Sequence, residues 1–222
     1  MQSELRDRLT PPAEHTRPPL VLLPSPLAQD QALRALSEIR DVVDRTTRYS
    51  TFSALSGVIA GGAAVLGSGG CGLWPAFTGA DPTRGLHFVG IWAAVLVVAA
   101  IGLVVMTAIK ARQRGEALWA PIARTAFAAL LGPGVAGFAA SVVFIQMARF
   151  DLLPGLWLLL YGCGLWSVSF FAPLFLRWLG VGFMLLGLGA WLAPAEAALF
   201  LGLGFGGLHF VFSGMVLARY RK

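Results

Sequence analysis

Beyond residue 48 the chain alternates long apolar blocks with short polar breaks. Six blocks can be marked, at 49–68, 87–109, 122–147, 153–172, 176–193 and 197–217, each near the ~20 residues that carry a helix across a bilayer. No Asp, Glu, Lys or Arg falls in the core of any block. The pattern predicts an all-α polytopic membrane protein with six transmembrane helices. The breaks at Ala148–Leu152, Phe171–Phe175 and Pro194–Glu196 are very short, so spans three to six are expected to form sequential antiparallel hairpins. Only the break from Gly69 to Leu86, with Trp74, Pro75, Asp81 and Pro82, is long enough to shape a feature outside the membrane.

Upstream the pattern changes twice. Residues 1–27 hold Pro11, Pro12, Pro18, Pro19, Pro24 and Pro26 among mixed charges. Proline fixes φ and removes a donor, so this segment reads as an extended, disordered cytoplasmic tail. It has no apolar run of signal-peptide length, since Leu20–Leu23 is too short. Over 28–48, Leu36, Ile39 and Val43 recur at helical spacing, and Asp41–Arg45 and Asp44–Arg48 stand four apart. This predicts an N-terminal cytoplasmic amphipathic helix ahead of a membrane domain at 49–222. Its apolar stripe could lie in lipid, but Asp41 and Asp44 on the other face would be repelled by an anionic leaflet. A contact with a second copy or with a different cytoplasmic partner suits the charges better, which makes Leu36, Ile39 and Val43 candidate partner-binding residues.

Charge orients the spans. Of 17 Lys and Arg residues, only Arg84 and Arg149 fall on the side opposite the two tails. Basic loops stay cytoplasmic, so both termini are expected inside. Tyr49, Trp119, Trp178 and Tyr220 at inner ends alternate with Trp74, Trp157 and Trp191 at outer ends, as interfacial aromatics should. A mean hydropathy of +0.73 with 13% charged residues excludes an ordinary soluble domain. The net charge of +6 is distributed as topology requires, so its expected partner is the lipid bilayer rather than nucleic acid. Cys71 and Cys163 sit at depths differing by about 10 Å or more, too far for a disulfide.

Small residues supply the next signal. Ser53, Gly57 and Gly61 recur every four positions in the first block, and Gly202 and Gly206 repeat the theme in the sixth. Such spacing lets helix backbones approach closely, so these are expected packing positions. Gly132-Pro133-Gly134 predicts a mid-span kink. His209 is the only histidine deep in a block, and an intramembrane ionisable group marks a functional candidate by default. A neutral imidazole bonded to a neighbouring helix is the plainer account. Gln146 and Tyr161 join it as weak ligand-binding candidates, because together the three could line a polar path. Ser56 lies at a similar depth and could pair with His209 in an intramembrane serine hydrolase, but Ala54 stands where the rhomboid-type motif has glycine. No zinc spacing, phosphate-binding loop or dinucleotide motif occurs, so neither metal nor cofactor is expected.

Three stretches carry a resemblance: Asp44 through Gly57, Leu153 through Gly162, and Gly202 through His209. They resemble a group of six-span bacterial inner-membrane proteins with no assigned activity. The similarity covers residues 28–222 and implies a bacterial inner-membrane location and six helices, but no activity. The function expected from all of this is non-enzymatic, an interaction, accessory or sensory subunit. A passive carrier for a small uncharged solute is the alternative, and an intramembrane hydrolase ranks third.

Overall fold

A computed structural model describes residues 30–31, 33–38, 54–72, 82–114, 121–170, 172 and 174–220. The chain divides into two units, Met1–Thr46 and Thr47–Lys222. In the first, residues 33–38 are helical, with Leu33 and Leu36 exposed and the Ser37 hydroxyl donating to the Arg34 carbonyl at 2.8 Å. Ile39, Val43 and the proline-rich 1–27 lie outside the described residues.

The second unit is all-helical: α1 Ala54–Gly72, α2 Pro82–Arg114, α3 Pro121–Gln146, α4 Leu153–Val168, α5 Phe175–Leu192, α6 Ala197–Leu201 and α7 His209–Tyr220. A π-helical stretch, Gly202–Leu208, joins α6 to α7 without a break. Among the described residues five helices are long and apolar enough to cross a membrane, and this establishes a polytopic membrane protein. The first expected span corresponds to α1, whose qualifying apolar part, Ala54–Gly70, is shorter than the other five. Its expected start at 49–53 lies outside the described residues. At 33 residues α2 extends about 50 Å, past a hydrocarbon core of ~30 Å, which carries Lys110 and Arg112 beyond the apolar zone.

The helices pack in chain-adjacent pairs. α1 lies against α2, α3 against α4, and α4 most extensively against α5, while the π-helical stretch and α7 return to α1. Lipid supplies no hydrophobic drive between helices, so closeness of approach sets the strength of these contacts. Glycines set the α4–α5 contact. A Cβ on Gly162 would come within 2.6 Å of the Gly180 carbonyl oxygen, and one on Gly180 within 2.8 Å of the Gly162 oxygen. Seven residues along, Gly187 would come within 2.9 Å of the Gly155 oxygen. Glycines seven apart on both helices thus meet in antiparallel register, a pairing the sequence reading did not single out.

α3 continues through Pro133 as one helix from Pro121 to Gln146. It closes at Ala148, whose φ of 54° is left-handed. The Arg149 N–H reaches the Phe144 carbonyl at 2.8 Å and the Ala148 N–H the Ile145 carbonyl at 3.0 Å, which serves two of the orphan carbonyls at the helix end. Arg149 then holds Asp151 through two bonds of 2.9 Å, and this hydrogen bonding raises the Arg149 pKa above its ordinary value.

Candidate site at the Tyr161–His209 pair

Tyr161 projects from the middle of α4 and His209 from the first position of α7. The glycines of Gly202–Leu208 make this meeting possible. A Cβ on Gly206 would come within 2.7 Å of Val65 Cγ2, and one on Gly61 within 3.1 Å of the Gly206 oxygen, so bare backbone lets α1 close on the π-helical turn. π-Helical turns are rare and often accompany functional sites. Here the turn delivers Phe205 and His209 onto one side, with ring centroids 6.3 Å apart.

The Tyr161 hydroxyl lies 3.0 Å from His209 Nε2. His209 Nδ1 is buried and has no hydrogen-bond partner among the described residues. A neutral imidazole has one donor and one acceptor nitrogen, so the tautomer decides whether Nε2 accepts the Tyr161 O–H or donates to its oxygen. Aromatic rings enclose the pair. Phe183 meets Tyr161 edge-on at 4.7 Å and His209 at 5.7 Å, and Phe205 lies 5.2 Å from Tyr161. Trp92 continues the cluster from Phe205 toward Trp157, which stacks on Phe88 at 5.7 Å and donates to the Ser141 hydroxyl at 2.9 Å. Trp157, expected at an outer interface, is therefore bound into the packing between helices. Three buried polar atoms of the described residues have no partner: Ser68 Oγ, Trp92 Nε1 and His209 Nδ1.

The other sequence candidates are placed as follows. Gln146 is exposed at the end of α3 and shares no hydrogen bond with either member of the pair. Gly57 faces Ser213 and Phe212 of α7, Gly202 faces Ser68, and Ser53 lies outside the described residues. Ser56 is buried on α1, but the Nε2 it would need is occupied by Tyr161. Cys163 is an exposed free thiol. Among the described residues no group of three or more His, Cys, Asp or Glu is placed to hold a metal. What the sequence did not signal is the surrounding cage of Phe183, Phe205 and Trp92. Each is one more apolar residue in an apolar block, and only tertiary packing brings them together.

No protein-family model, no curated protein and no solved structure matches the chain, so what stands is its class: an all-α polytopic membrane protein built as a packed helical bundle.

Proposed function

We propose that this chain is a non-enzymatic interaction, accessory or sensory subunit, seated in a bacterial inner membrane with six spans and both termini cytoplasmic. The observation that supports it best is the division of the outward surface of α3 into two unlike faces. Phe127, Leu131, Phe138 and Val142 are exposed on one, the bulky apolar surface that suits acyl chains. Ala128, Gly132, Ala136 and Ala139 are exposed on the other, at helical spacing, until Val143 ends the run one turn further on. A Cβ on Gly132 would meet nothing within 4 Å. Small residues gain little against fluid lipid but let a second helix approach closely. Such a face is self-complementary, so a second copy of the chain is its simplest partner. The stripe of Leu36, Ile39 and Val43 has the same role on the cytoplasmic side in this reading, and Leu36 is 61% exposed.

Cysteine substitution tests the assignment in native membranes. Gly132→Cys is expected to crosslink to protein through a short bifunctional reagent, whereas Phe138→Cys, on the bulky face, is not. Absence of crosslinks at Gly132, with a polarity-sensitive label reporting lipid at both positions, would overturn the reading.

A further inference from the structure

Arg177 is the only Lys or Arg between Arg149 and Arg219. It stands in the first turn of α5, half-buried, where the short connection from α4 returns the chain to the membrane. Its guanidinium carbon lies 5.3 Å from the centre of the Trp166 ring and 5.2 Å from that of Phe170. Nε points at the Ser169 hydroxyl, 3.4 Å away, and that hydroxyl gives its own proton to the Trp166 carbonyl at 2.6 Å. Two rings and one oxygen thus fix the plane of the guanidinium, and among the described residues nothing further engages its outer edge. Among the described residues no carboxylate pairs with Arg177. Asp151 is held by Arg149, and both Asp151 and Glu196 belong to connections at the opposite ends of these helices.

Partial burial makes pairing with an anion favourable for this cation. The surroundings say where that anion comes from. Phe170 is 64% exposed, Leu174 60% and Trp178 70%, so large apolar side chains near Arg177 along the chain are left facing outward. Exposed Trp beside Arg at a helix end marks the headgroup level of a bilayer. A planar guanidinium offers two parallel N–H donors matched to phosphate oxygens, which an ammonium does not. The α5 N-terminus beneath it has no acidic residue in its first turn and no side-chain cap, so its partial positive charge adds in the same direction.

We propose that Arg177 anchors a phosphate-binding site filled by the phosphodiester headgroup of a membrane phospholipid, with the acyl chains running inward past Trp178. Trp166, Phe170 and Ser169 are positioning residues that hold the guanidinium edge outward. The proposal does not depend on which membrane face α5 starts from, since phosphodiesters occupy both.

Native mass spectrometry of the full-length purified protein with added phosphatidylglycerol tests this. One lipid is expected to be retained about tenfold more weakly by Arg177→Gln than by the parent, with Arg177→Lys between them because it keeps charge but loses the planar fork. Arg149→Gln, whose guanidinium is already paired, should bind as the parent does. Diacylglycerol, which lacks the phosphate, should bind no better to the parent than phosphatidylglycerol does to Arg177→Gln, and this comparison needs no variant beyond those that fold. Excess inorganic phosphate should leave the bound lipid in place. Equal retention by the parent and Arg177→Gln, equal loss in Arg149→Gln, or binding of diacylglycerol as tight as phosphatidylglycerol would each overturn the site. Displacement of the lipid by inorganic phosphate would overturn the lipid as its occupant.

Discussion

The hydrogen bond between Tyr161 and His209 joins α4 to the start of α7 across 48 positions of sequence, inside a shell of aromatic rings. Its energetic weight comes from what either group would cost alone. A buried acceptor left without its donor costs about 1–3 kcal/mol, while replacing both partners by apolar groups is close to neutral. Tyr161→Phe should therefore destabilise the protein by about that amount. Tyr161→Phe with His209→Leu should destabilise by clearly less than the sum of the single changes. Denaturant titration in mixed micelles measures both, and additive single effects would show that the two groups are not coupled. The sequence flagged both residues because a polar group in an apolar block is expensive. By the same rule it flagged Gln146, which is exposed at the end of its helix. Polarity within a span is legible from sequence. The rotation of that residue toward a particular neighbour is not, because it depends on how the helices pack.

Among the helices, the sharpest contrast is between glycines that meet backbone and glycines that meet nothing. Gly162 and Gly180 approach each other's carbonyl oxygens, so a methyl group at either must push two backbones apart. Gly162→Ala and Gly180→Ala are each expected to destabilise by about 1–3 kcal/mol, the usual cost of overpacking. Gly90→Ala, where a Cβ has open space, should be neutral or stabilise by up to about 1 kcal/mol through helix propensity. Unfolding of the three variants side by side checks this, and an equal response at all three sites would remove the distinction. The four-residue spacing of Gly57 and Gly61 stood out in the sequence, whereas the seven-residue spacing on α4 and α5 did not. Glycines are so frequent here, 27 in all, that a regular interval gains meaning only when a matching interval faces it. The π-helical turn escaped for a related reason. Glycine permits a widened turn but equally permits an ordinary one, and the fit of Gly206 against Val65 decides between them.

For the molecule as a whole, charge asymmetry and helix order agree on an alternating path. On a six-span path the ends of α2 and α4 and the starts of α3 and α5 would share one side, with Lys110, Arg112, Arg124 and Arg177 on it. Basic segments resist translocation, so this is the face expected in the cytoplasm. Reporter fusions after Lys222 and within 113–117 should read cytoplasmic, and fusions within 76–83 periplasmic. A periplasmic reading after Lys222 would mean an odd number of crossings and would remove α1 from the count of spans.

What the sequence determined alone was the class of protein and the extent of its helices. Block length and hydropathy depend on the bilayer as solvent, which acts on each segment separately, and the observed helices begin and end within a few residues of the expected blocks for α3 through α7. Only the tertiary structure decided which polar group found which partner, which glycines met across a helix pair, and that α3 keeps a face of small residues with nothing against it. Those outcomes depend on helix rotation and depth relative to neighbours. Between apolar helices in lipid they are set by close backbone approach and a few buried hydrogen bonds, and neither leaves a periodic mark in a single chain.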